Sequence, residues 1–188
     1  MNNWGKKRSV MRRYNLTAQM YDERYREEQE AKYRAALESL DLKPNGTVLD
    51  VGCGSGMFFC QVADDAKAVA GLDISRELLQ AAKERAKKLR NVFLVQADAD
   101  HLPFKKAVFN YVFAFTVLQN MPNPAETLRE LQISASSNAR FVITGLKAAV
   151  TLEKFATILR KAGMQAVSFR NDEALRCYVV VTIQSPNW

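Results

Sequence analysis

The sequence predicts an α/β fold, a doubly wound, mostly parallel sheet, from three observations. Short apolar segments alternate five times with helix-like segments, the order that winds a parallel sheet. A glycine-rich turn follows the first apolar segment, where such sheets bind ligands at the carboxyl ends of their strands. The chain then closes on two strand-like segments with no helix-length stretch between them, which should pair as an antiparallel hairpin.

Each element has its own signal. Residues 17–40 carry an apolar stripe of Ala31, Ala35, Ala36, Leu37 and Leu40 behind Thr17 as candidate N-cap, and predict one helix. Leu42-Lys43-Pro44-Asn45-Gly46 is a turn cluster that ends it. Thr-Val-Leu-Asp-Val at 47–51 is a β-branched strand, and 57–64 a short helix. Residues 68–74 form a second strand, 76–89 a helix capped by Ser75, and 92–96 a third strand. The continuous apolar run 110–117 suits a strand buried on both faces. A helix over 123–137 carries Pro124 in its first turn. A fifth strand at 141–145, a helix at 152–162 ended by Gly163, and strands at 165–169 and 177–183 complete the order.

Composition narrows the class. At 188 residues, 48% hydrophobic and 25% charged, the chain has material for one sizeable core. No apolar run reaches the ~18–20 residues that cross a bilayer. The basic N-terminus is followed by a polar stretch where a secretory signal needs an apolar one, so a cytoplasmic protein is expected. Three cysteines, Cys53, Cys60 and Cys177, offer neither a disulfide framework nor a metal-ligand spacing, and no metal is expected.

The net charge of +7 is uneven. Residues 1–13 hold Lys6, Lys7, Arg8, Arg12 and Arg13 and no acid. Residues 83–90 hold five cations and one acid, and residues 140–170 six cations and one acid, which leaves the rest acidic. Basic segments beside an acidic remainder suit a polyanion-binding surface around a site that holds a cation, although cations on helix faces are commonly just solvated.

The chemistry concentrates in Val48-Leu49-Asp50-Val51-Gly52-Cys53-Gly54-Ser55-Gly56. Alternate glycines let the chain turn sharply and bring bare backbone against a ligand. A pyrophosphate fingerprint would need glycine at position 57, which is Met, and Asp50 would repel a phosphate. Asp73 ends the second strand, the position of an acid that accepts from two ribose hydroxyls. Asp98 follows the third strand, where it could accept from an adenine amine. Three acids at consecutive strand ends describe the site of a cationic nucleoside.

These residues resemble the class I S-adenosylmethionine-dependent methyltransferases of the Rossmann-like, type 11-like group. The likeness rests on VLDVGCGSG at 48–56, Gly-Leu-Asp-Ile-Ser at 71–75, Gln-Ala-Asp-Ala at 96–99 followed by Leu102-Pro103-Phe104, and 113–120 with Pro122. It spans roughly residues 45–145 and implies a seven-stranded sheet of order 3-2-1-4-5-7-6 with its last strand antiparallel. It implies S-adenosylmethionine as cofactor and S-adenosylhomocysteine as product. Asp50, Gly52, Cys53, Gly54 and Gly56 would form the loop around the methionine part, with Cys53 only its small residue. Asp73 would take the ribose, Ile74 the adenine face, Asp98 and Ala99 the adenine edge, and Phe115 the methionine side. Tyr14, Ala18 and Tyr21 share one helical face and resemble the aromatic N-terminal helix that covers the cofactor, although plain packing would give the same spacing. The division implied is 1–42, a basic segment and covering helix, and 43–188, the methyltransferase domain.

The acceptor is less legible. The Asn/Asp-Pro-Pro-aromatic motif of amino-methylating relatives is replaced by Gln119-Asn120-Met121-Pro122, and no cysteine sits in a nucleophile's setting. His101, the sole histidine, precedes Leu102-Pro103 on a connecting segment and suits a loop residue better than a base. Gln119 and Asn120 are the candidates for orienting the substrate, or for fixing the strand end by loop hydrogen bonds. Methyl transfer from an activated sulfonium needs mainly alignment and desolvation, so the lack of a base does not oppose activity. The basic segments lean toward a base in ribosomal or transfer RNA, with no membrane or DNA partner expected. The alternatives are a small-molecule acceptor closed in by residues 1–40, or a subunit that needs a small zinc-ribbon activator protein.

Overall fold

The computed structural model describes residues 3–185. Seven strands form one sheet in the order β3-β2-β1-β4-β5-β7-β6. They are β1 (Thr47–Val51), β2 (Ala68–Asp73), β3 (Val92–Gln96), β4 (Phe109–Ala114), β5 (Ala135–Leu146), β6 (Met164–Arg170) and β7 (Cys177–Gln184). β1 to β5 pair in parallel, and β7 runs antiparallel between β5 and β6. The fold class and strand order are those expected.

Burial follows the sequence pattern. β1, β2 and β4 are buried along nearly their whole length, as strands covered on both faces must be. One apolar cluster lies under Val112, Leu128, Leu131, Phe141, Ile143 and Phe155. The other gathers Tyr33, Phe58, Phe59, Val69, Phe113 and Val179. Helix α4 (Arg76–Ala86) starts where Ser75 Oγ accepts from Leu78 N, and α6 (Leu152–Lys161) where Thr151 Oγ1 accepts from Lys154 N.

Several boundaries differ from expectation. The N-terminal region is not one helix from Thr17. It is α1 (Asn3–Thr17), a 3₁₀ turn at Ala18–Met20 and α2 (Tyr21–Glu38). Thr17 caps nothing: it closes α1, with its hydroxyl donating to Arg13 O at 3.0 Å. The basic residues 3–13 are thus helical, which the apolar-stripe criterion missed because α1 shows little amphipathic pattern. Helix α3 is only Phe59–Val62, because Met57 and Phe58 are spent turning out of the glycine loop. Helix α5 (Pro124–Ser134) stops short of 137, and β5 begins at once at Ala135. Ser136, Ser137 and Asn138 compete with the backbone for hydrogen bonds and hold a helix poorly, while Ala135 pairs with Phe109 of β4.

Candidate active site at the carboxyl edge of the sheet

The glycine loop leaves β1 with Gly52, Gly54 and Gly56 all in the left-handed region, at φ of 68°, 56° and 77°. At Gly52 a Cβ would lie 2.7 Å from Val117 Cγ2, so only glycine fits there. Gly54 N donates to Asp73 Oδ2 at 2.9 Å, and Ser75 N to Asp73 Oδ1 at 2.8 Å. Asp73 is therefore fixed in orientation while its carboxylate retains lone pairs for a ligand.

Two acids are buried side by side without a metal-ligand cluster among the described residues. Burial, with the charge of Asp73 adding to it, pushes the Asp50 carboxyl up to about 8. Burial also raises Asp73, against the N–H donors of Ser75, Gly54 and Ile74. A pocket that strains two carboxylates in this way favours a cationic occupant, whose charge restores their ionised form.

The pocket is lined by Gly52, Gly54, Asp73, Ile74, Asp98, Ala99 and Phe115 on the sheet side, with Asn120 at its mouth. Tyr14 and Tyr21 close it from α1 and α2. Their rings meet edge to face at 6.1 Å. Asp50, Cys53 and Gly56 lie outside the lining: Asp50 is buried beneath it, Cys53 is buried, and Gly56 packs on Phe59. Asn120 Nδ2 lies 3.4 Å from Tyr14 OH, and Gln119 Nε2 donates to Thr116 O, so both also fix the end of β4.

The N-terminal helices are tied across this pocket. Asp22 accepts from Ser55 Oγ and pairs with Arg85 Nη2 at 2.5 Å, and Arg85 also donates to Ser55 O, joining α2, the glycine loop and α4. Ser75 Oγ donates to Asn15 Oδ1 at 2.6 Å. Lys7, buried in the pocket wall, donates to both oxygens of Asp98 at 2.8 and 2.6 Å and pairs with Asp100. Burial alone would lower the Lys7 pKa, but Asp100 and Asp98 outweigh it and raise it. Of the five cations expected to form a polyanion-binding surface in residues 1–13, Lys7 is thus withdrawn into the site. Lys6 donates to Met121 O at 2.7 Å, and Arg13 to Asn120 Oδ1 at 3.1 Å. Arg8 and Arg12 remain exposed.

Sequence reasoning missed Lys7, Lys32 and Thr116. Lys32 is 1% exposed, with Nζ 3.3 Å from Glu28 Oε1 and 3.5 Å from Thr116 Oγ1. Thr116 has φ of 53°, a backbone strain at the junction of the pocket with a second cavity. No local signal marks either residue. Their roles come from packing between α2 and β4.

Sheet order, left-handed glycine loop and strand-end acids define a nucleoside-binding α/β protein of the class I S-adenosylmethionine-dependent methyltransferase type. Residues 42–176 match the family model described as a methyltransferase domain, and the chain belongs to that family. It is similar to the demethylmenaquinone methyltransferase of Staphylococcus saprophyticus, 31% identical over 101 residues, covering 52% of this chain and 43% of that protein. It is also similar to the malonyl-[acyl-carrier protein] O-methyltransferase of a Marinomonas species, 31% identical over 127 residues, 66% of this chain and 47% of the other. The chain thus spans less than half the length of these curated relatives. Among solved structures, an S-adenosylmethionine-dependent methyltransferase of Aquifex aeolicus superposes with a TM-score of 0.73 at 21% identity, covering 80% of this chain and 88% of that one. A Haloferax volcanii putative methyltransferase complexed with the Trm112 methyltransferase activator gives 0.80 at 16% identity, covering 94% and 97%. S-adenosylmethionine is the cofactor that the family and the pocket's cation-favouring acids both fit.

Proposed function

We propose that this chain transfers a methyl group from S-adenosylmethionine to a small-molecule acceptor enclosed beneath its two N-terminal helices. The observation that carries this reading is the roof. α1 and α2 lie over the carboxyl edge of the sheet, and Tyr14, Tyr21, Thr116 and Asn120 are walls common to the cofactor pocket and the adjoining cavity. An acceptor there must fit under helices tied down at Lys7, Asn15 and Asp22, which favours a metabolite over a folded RNA.

When bound, S-adenosylmethionine supplies an electrophilic methyl on a sulfonium. Asp73 would hold the ribose hydroxyls, and Asp50 would balance the cation through the buried field. Ile74 and Ala99 would flank the adenine, and Phe115 the methionine side. Asp98 would share its carboxylate between Lys7 and the adenine amine. Tyr14 and Tyr21 in the roof would shield the pocket from water, which would strengthen each of these interactions. Gln119 and Asn120 stand at the end of β4 facing the adjoining cavity, placed to orient an acceptor.

The curated relatives named above are called methyltransferases of demethylmenaquinone and of a malonyl carrier protein, which supports an acceptor other than a nucleic acid. The RNA-base reading keeps Arg8, Arg12 and the exposed cations of 140–161, and the Haloferax neighbour lends some support to an activator-dependent subunit. Purified full chain with methyl-labelled S-adenosylmethionine decides among them. Label passing into a low-molecular-mass extract supports the proposal. Label found only in RNA overturns it, and label requiring an added zinc-ribbon protein establishes the partner.

A further inference from the structure

The cavity beside the cofactor pocket has a charge of its own. It lies between α2 and the carboxyl ends of β4 and β5, and five cations, Arg13, Arg24, Lys32, Lys147 and Arg176, line it with the single carboxylate Glu28. Glu28 is divided between Lys32 at 3.3 Å and Arg176 at 3.5 Å, both at the long end for an ion pair. Lys32 is almost wholly buried, and an ammonium has three protons to place. Its two contacts, 3.3 Å to Glu28 and 3.5 Å to Thr116, leave that capacity poorly used. A buried cation so loosely partnered is costly unless a further anion joins it.

The second observation is an unused acceptor. Gln119 Oε1 and Gln29 Oε1 are buried without a hydrogen-bond partner. For Gln119 the assignment is fixed by chemistry. Its other terminal atom meets the carbonyl of Thr116, so that atom is the NH₂ and the free one is the oxygen. A buried acceptor on a residue that lines this cavity calls for an N–H or O–H from whatever fills it. The tyrosines Tyr14, Tyr21 and Tyr25 add flat apolar wall.

Resting on the small-molecule reading above, we infer that this cavity is the acceptor site, and that its substrate is an anion carrying a hydroxyl or amine. The anionic group sits with Lys32 toward the Lys147 and Arg176 side, and the nucleophile's proton points at Gln119 Oε1. Lys32 is the specificity-determining residue for the anion, and Gln119 is a positioning residue for the nucleophile.

The test uses the full chain saturated with S-adenosylhomocysteine, so that the cofactor's own carboxylate is already seated. Calorimetric titration compares 4-hydroxybenzoate with the isosteric neutral 4-hydroxybenzamide. The acid should bind at least about tenfold more tightly, the scale of one charged hydrogen bond. Lys32→Met should abolish that preference and leave S-adenosylhomocysteine affinity unchanged. Because Lys32 is buried, Arg176→Gln serves as a second variant at an exposed position and should reduce the preference about twofold to threefold. Absence of an acid preference, whether both probes bind or neither does, overturns the inference. So does a preference that survives both substitutions. A loss of S-adenosylhomocysteine affinity in Lys32→Met also overturns it, assigning Lys32 to the cofactor's carboxylate. Label transfer into an extract separated on an anion exchanger tells this inference from the reading beneath it. Label in the unretained fraction sinks the anionic class alone, and label confined to RNA sinks both.

Discussion

The two halves of the sheet's carboxyl edge are opposite in charge. At the ends of β1 to β3 the pocket presents Asp73 and Asp98, with Asp50 buried outside its lining. Beside the ends of β4 and β5, the adjoining cavity gathers Lys32, Lys147 and Arg176. The acidic half is written in contiguous motifs, because one loop and two strand ends build it. The basic half is assembled from α1, α2, the end of β5 and the start of β7, segments that only folding brings together. A cationic cofactor and an anionic acceptor placed side by side would each be held by its own field, and neither half would attract the other's ligand.

The largest expected effect breaks the acidic half. Asp73→Ala removes a charged acceptor for two ribose hydroxyls and the anchor of Gly54 N and Ser75 N. Calorimetric affinity for S-adenosylmethionine should fall by about 100-fold or more. Unchanged affinity would refute the ribose assignment.

Next comes the loop that shapes that half. Gly52→Ala places a Cβ at φ of 68° and 2.7 Å from Val117 Cγ2. It should lower Tm by roughly 2–12 °C, from about 1–3 kcal/mol of strain. Adding Val117→Ala should recover the steric part and not the backbone part. Full recovery would show that the left-handed conformation is not a constraint.

The pH response follows from Asp50, whose carboxyl is raised to about 8 by burial. The free protein binds this proton more tightly than the unfolded chain does. The penalty for ionising it is therefore absent below about pH 4 and grows as pH rises toward 8. The Tm of the free protein should fall by about 3 °C or more between pH 5 and 8.5. S-adenosylmethionine should offset that fall more than neutral-sulfur S-adenosylhomocysteine does, and Asp50→Asn should flatten both profiles. Parallel profiles for native and Asp50→Asn protein would exclude Asp50 as the group.

A smaller effect is expected where a cation crosses into the acidic half. Lys7→Met leaves Asp98 and Asp100 facing each other without their shared ammonium. Tm should drop by about 2–5 °C at pH 7.5, and adding Asp98→Asn with Asp100→Asn should recover most of it. A drop that persists in that triple variant would mean that packing of the lysine stem, not charge, holds α1. The smallest effect belongs to the exposed cations of α1. Arg8→Gln with Arg12→Gln should change elution from a polyanion column only slightly. A large loss of retention would restore α1 as a nucleic-acid surface.

Much of the fold was legible locally. β1 and β3 fall on their expected residues, and the closing hairpin was visible because no helix-length segment separates β6 from β7. The misplaced boundaries lie where local rules lose to context: α1, whose even mixture of residues shows no face, and β5, which β4 draws back to Ala135. In the pocket, the glycine loop and the strand-end acids Asp73 and Asp98 were readable from spacing, whereas Tyr14 and Tyr21, expected on one helical face, meet across the 3₁₀ turn between α1 and α2. Lys7 and Lys32 were not readable, since a lysine on a charged helix looks the same in sequence whether it faces water or a buried carboxylate.

The amino-acid sequence by itself determined the family, the strand order and the cofactor's acids, because the glycine loop and the strand ends are short-range features with strict backbone demands. Only the tertiary structure decided what the +7 surplus does. Part of it is folded inward, with Lys7 bridging Asp98 and Asp100 and Lys32 buried beside Thr116. The direction a helix turns its cations is set by what packs against it, and sequence spacing does not encode that.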